Sequence, residues 1–173
     1  MKKLLIPLCL LTFTSVTNAH VTLEQAKASA GSYHKLVFKV AHGCDGSATQ
    51  SFKVTLPEQV TNAKPMPKAG WKLSIDRAYL SQAKTSHGKT ITDDVREITW
   101  SGGELADAYY DEFTIQVKLG EVAEKLYFKV TQICEKARLD WIEIPSLGKS
   151  SKDLKFPAPM LEVENKTQET HQH

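Results

Sequence analysis

Alternation with a period of two constrains this chain more than any other feature. Leu36, Phe38 and Val40 alternate with Val37 and Lys39, and Phe52, Val54 and Leu56 alternate with Lys53 and Thr55. Trp71-Leu73-Ile75, Phe113-Ile115-Val117 and Leu126-Phe128-Val130 repeat the pattern. Successive side chains of a strand point to opposite faces, so each run presents one apolar and one mixed face. Val95 to Trp100 and Leu139 to Ile144 are further candidates. Turn chemistry separates the runs at His42-Gly43-Cys44-Asp45-Gly46, Pro65 to Gly70, His87-Gly88 and Gly102-Gly103. No helical stripe is sustained; Ala106 to Tyr110 and Glu121 to Lys125 suit at most a short turn of helix. The expectation is an all-β, single-domain antiparallel β-sandwich of immunoglobulin or cupredoxin type, with about seven or eight strands.

The two ends read differently. Residues 1–19 have the form of a secretory signal: Lys2 and Lys3, an apolar run from Leu4 to Phe13, and small residues at Thr17 and Ala19. The apolar run is short for a bilayer span, so cleavage after Ala19 is preferred over an uncleaved anchor. This implies a periplasmic protein with a domain over residues 20–160. The last residues, 161–173, are rich in Glu, Asn, Lys, Thr and Gln and end His171-Gln172-His173; a disordered, His-containing tail is expected there. The formal charge of +2 owes its excess to Lys2 and Lys3, since 20 basic residues otherwise face 20 acidic ones. A neutral exported domain points to neither a nucleic-acid partner nor an anionic membrane, and no membrane span is expected in the mature chain.

Cleavage removes Cys9 and leaves Cys44 and Cys134, a pair bound for an oxidising compartment. A disulfide is the preferred reading over two thiolate ligands, since neither has a Cys-x-x-Cys neighbour. Cleavage also makes His20 the first residue. A terminal amine and an imidazole on one residue chelate a metal through two nitrogens, a donor set suited to Cu(II) rather than Ca(II) or Mg(II). His34, His42 and His87 are expected at the surface, and Trp71 and Trp100 in core or turn packing. Met66 and Met160 are too few for a Met-rich Cu(I) site.

His20-Val21-Thr22, Ala30-Gly31-Ser32-Tyr33, Lys64 to Lys72, Asp111-Glu112-Phe113 and Asp140 to Pro145 resemble, in order and spacing, the YcnI-like family of bacterial copper-binding proteins. His42 to Gly46 and Cys134-Glu135-Lys136 resemble its proteobacterial branch, which supports the disulfide. The resemblance implies a mono-histidine brace: Cu(II) held by the His20 amine and imidazole and by the Glu112 carboxylate, with Trp141 beside it. Alternation places Glu112 on the face opposite Phe113, and Asp111 is the alternative carboxylate. Asp140 and Glu143 suggest polar surroundings for Trp141.

The function that follows is Cu(II) binding in copper homeostasis or as a metallochaperone, with other envelope copper-transport proteins as partners. It is not an enzyme on this reading. The alternative is a metal-free immunoglobulin-like interaction module, which the fold alone leaves open. A copper-dependent oxygenase ranks below both, because no second histidine lies in a matching motif.

Overall fold

In a computed structural model, which describes residues 20–86 and 88–166, the chain forms twelve strands and one short 3-10 turn. The strands are β1 (Thr22–Leu23), β2 (Lys27–Ser29), β3 (Tyr33–Val40), β4 (Thr49–Thr55), β5 (Val60–Pro65) and β6 (Lys72–Ser86). They continue with β7 (Lys89–Leu105), β8 (Asp111–Leu119), β9 (Lys125–Tyr127), β10 (Lys129–Cys134), β11 (Arg138–Trp141) and β12 (Met160–Glu164). One sheet has the order β1-β3-β8-β5, and the facing sheet has the order β11-β10-β4-β7-β6. A small third sheet, β2-β12-β9, closes one side. The proposed signal, His87 and the His171-Gln172-His173 end lie outside the described residues.

Register follows from the apolar alternation. Phe38 lies opposite Phe113 and Leu36 opposite Ile115 across β3 and β8, and all four are buried. On the facing sheet, Trp141, Val130, Val54 and Ile98 form one lateral row, all buried. A one-residue slip would turn every one of these side chains to solvent, so the core sets the pairing. The sheets meet through aromatic rings: Phe52 stacks on Phe113 at 4.2 Å between centroids, and Trp100 packs 5.3 Å from Phe113. The Trp100 indole N–H reaches the Met66 carbonyl at 3.0 Å, so a fully buried tryptophan leaves no polar atom unpaired.

Three expectations are corrected. The domain does not end at 160. Leu161 and Val163 are buried, and β12 pairs parallel with β2 and antiparallel with β9. The acidic residues Glu162 and Glu164 are the outward half of a strand, with Lys27 against both. Gly102-Gly103 does not end a strand, because β7 runs through to Leu105. A Cβ on Gly103 would lie 2.1 Å from Trp71 Cε2, so this glycine lets the indole lie flat on the backbone. His34 is not a surface residue: it faces inward opposite Val117, half-buried, and its Nε2 is buried without a hydrogen-bond partner. Burial holds its imidazole below the ordinary value.

Candidate metal centre

His20 stands just before β1, an edge strand held to β3 through Thr22 opposite Lys39. Val21 is buried and anchors this short strand, so the position of His20 is set by core packing. The imidazole is half-buried and lines an open groove with Leu23, Lys152, Pro157 and Met160. Neither ring nitrogen hydrogen-bonds to a described residue, which leaves both available to a ligand.

Trp141 comes from the opposite sheet. It ends β11, is 3 % exposed and faces the core beside Val130. Its ring meets the His20 ring at 5.6 Å and nearly perpendicular, and it meets Phe156 at 5.5 Å. Glu143 holds the Phe156 strap in place: its carboxylate accepts from the Phe156 N–H at 2.7 Å, and its backbone pairs with Phe156 and Ala158. Asp140 points the other way. Its carboxyl accepts from Arg138 and from Thr131 Oγ1, and the Arg138 hydrogen bond holds it below the usual carboxylate range. Both acids flanking Trp141 therefore serve β11 and the strap, and neither is shown against His20.

Glu112 is exposed on β8, on the face opposite the buried Phe113, as its parity requires. Its carboxylate makes no hydrogen bond or ion pair with a described residue. Asp111 differs: Lys68 holds its carboxylate at 2.6 Å, and the same oxygen accepts from the Glu112 N–H. Thr22, Lys39 and Glu112 form one row across β1, β3 and β8. Two strand spacings put Glu112 about 10 Å from Thr22 in Cα terms. The structure therefore brings His20 and Trp141 together and places the exposed Glu112 in the row of Thr22, two strands along the His20 sheet. Among the described residues, no group of three or more His, Cys, Asp or Glu side chains stands ready to hold a metal.

Behind Trp141 lies a polar network that the sequence did not announce. Gln132 is 1 % exposed, and its Oε1 accepts the Trp141 indole N–H at 3.2 Å. Its Nε2 donates to the His42 carbonyl at 2.9 Å and to Thr49 Oγ1 at 2.8 Å. Cys44 and Cys134 are joined in a disulfide with Cα atoms 5.7 Å apart, and Thr49 Oγ1 lies 3.6 Å from Cys134 Sγ. The available signal was a single polar residue at an inward position, between Val130 and Cys134.

Comparison with known proteins agrees with this architecture. A solved structure of an uncharacterized protein from Nocardia farcinica, described as immunoglobulin-like, superposes with a TM-score of 0.64 at 23% identity. The match covers 83% of this chain and 97% of that one and bears on the fold alone. The copper-binding protein CutI of Bacillus subtilis (strain 168) is 26% identical over 133 residues, which is 72% of this chain. The match spans 58% of that relative's length. Neither relative is described as an enzyme. Residues 20–163 match the domain described as DUF1775, a domain of unknown function. That span takes in most of the chain, which therefore belongs to the DUF1775 family.

Proposed function

We propose that this protein binds Cu(II) in the bacterial periplasm through a mono-histidine brace at His20 and hands it on as a copper metallochaperone or homeostasis protein. The observation that carries this reading is the meeting of His20 and Trp141: a half-buried imidazole with uncommitted nitrogens, at the start of the folded domain, against an indole from the opposite sheet. Cleavage after Ala19 turns the His20 nitrogen from an amide into an amine. Amine and imidazole then chelate the ion with nitrogens that suit Cu(II). Glu112 supplies the carboxylate that offsets the ion's charge. Support for it over Asp111 lies in their carboxylates, since Lys68 holds that of Asp111 but reaches only the backbone carbonyl of Glu112. Trp141 walls one side and limits solvent and further ligands. The likeness to CutI supports copper as the cargo. Delivery requires an exposed, few-coordinate site, which the groove beside His20 provides.

Mass spectrometry of the exported protein, with and without Cu(II), tests the reading. The expected result is a chain beginning at His20, an intact disulfide and one copper per chain. A different N-terminus, or no retained copper, would overturn it. Replacing Glu112 by Gln should weaken Cu(II) binding more than replacing Asp111 by Asn; the reverse ranking would reassign the carboxylate.

A further inference from the structure

Gln132 sits where the alternation of β10 calls for an apolar side chain, between the buried Val130 and Cys134. A buried carboxamide is costly unless its polar atoms are bonded, and here the oxygen and the nitrogen both are. Chemistry fixes its orientation. An indole N–H only donates, so the atom facing Trp141 must be Oε1; a backbone carbonyl only accepts, so the atom facing His42 must be Nε2. The carboxamide cannot flip without breaking both bonds.

We infer that Gln132 is the positioning residue of the copper site, acting through Trp141; the inference rests on the Cu(II) reading above. Trp141 ends an edge strand of four residues; Phe156 and the core pack its ring, and Gln132 holds its one polar atom. Gln132 takes up the indole N–H, so this donor is occupied and does not compete for the ligand beside His20. The anchors of Gln132 are themselves fixed. His42 lies two residues before Cys44, and Thr49 touches Cys134 Sγ, so the disulfide holds both acceptors in place. The constraint of the cross-link thus reaches the metal site through one side chain.

The test uses the exported protein and two substitutions, Gln132→Met, which keeps the volume and removes both polar functions, and Trp141→Phe, which removes the indole N–H. In the metal-free protein, Gln132→Met should speed hydrogen exchange at the Trp141 indole by about ten-fold, the equivalent of ~1.4 kcal/mol of lost protection. With Cu(II), Gln132→Met should raise Kd by about ten-fold, the lower end of what outer-shell partners contribute to metal sites. In a Trp141→Phe background the same change should shift Kd by less than about two-fold, because a double-mutant cycle removes the shared term. An unchanged indole exchange rate, or the same shift in Kd in both backgrounds, would overturn the inference. If Gln132→Met does not fold, Gln132→Glu replaces it on the same readouts; its protonated form keeps a donor and an acceptor and should restore protection at low pH. If the wild-type protein takes up no Cu(II), the copper reading fails by itself and the indole readout alone decides whether Gln132 positions Trp141.

Discussion

Replacing both Cys44 and Cys134 by alanine should cost the fold about 5–6 kcal/mol. The cross-link joins positions 90 residues apart, so most of the domain lies inside the loop it closes. The chain-entropy relation assigns such a loop about 4.6 kcal/mol at 25 °C, through the freedom the unfolded chain regains when it is cut. Both sulfurs are buried, Cys44 at 0% and Cys134 at 5% exposure, so truncation also removes packing atoms worth roughly 1 kcal/mol. Domains of this size are stable by only about 5–15 kcal/mol, which leaves the variant near the edge of folding. Urea unfolding followed by tryptophan emission measures the loss. A melting temperature about 10–20 °C lower is the matching thermal result. A loss below about 1.5 kcal/mol with an unchanged denaturant slope would mean that the cross-link does not limit the unfolded chain.

Two further outcomes follow from particular contacts. Gly103→Ala should destabilise the protein by about 2 kcal/mol, since the new methyl meets the Trp71 ring at 2.1 Å; an equal cost in a Trp71→Ala background would contradict this. His34 sets a pH dependence. Its folded value is lowered by burial, so below the ordinary 6.5 the unfolded chain takes up a proton that the folded chain resists. Stability should therefore fall as pH drops from 6.5 toward the folded value and be insensitive to this group above 6.5. Denaturation curves of wild type and His34→Gln between pH 5 and 8 should diverge in slope below 6.5; parallel curves would contradict the assignment.

The sandwich was legible because its strands are amphipathic. Phe38, Phe52, Phe113 and Val130 declare their inward faces locally, and the outward parity of Glu112 follows from that of Phe113. The pairing of Cys44 with Cys134 was legible because only two cysteines follow the proposed signal. What escaped was non-local. β12 is short, and its acidic residues look like a solvated tail until β2 and β9 arrive on either side. Gly102-Gly103 looks like a turn until Trp71 lies over it. No local pattern says that Trp141 faces His20 across the two sheets, or that Gln132 holds the indole N–H. The first contact depends on how the two sheets stack and the second on the register of β10 against β11, and alternation within a single strand encodes neither.

The proposed brace stands or falls on the His20 amine as a copper ligand. Its most direct test is Cu(II) affinity for two proteins that differ only at the start, one beginning at His20 and one with a single alanine before it. The added residue turns the amine into an amide and moves the free amine away from the imidazole, while Trp141, Glu112 and the disulfide stay as they are. Affinity should fall at least about 100-fold, or ~2.7 kcal/mol. Equal affinity in the two proteins would contradict it.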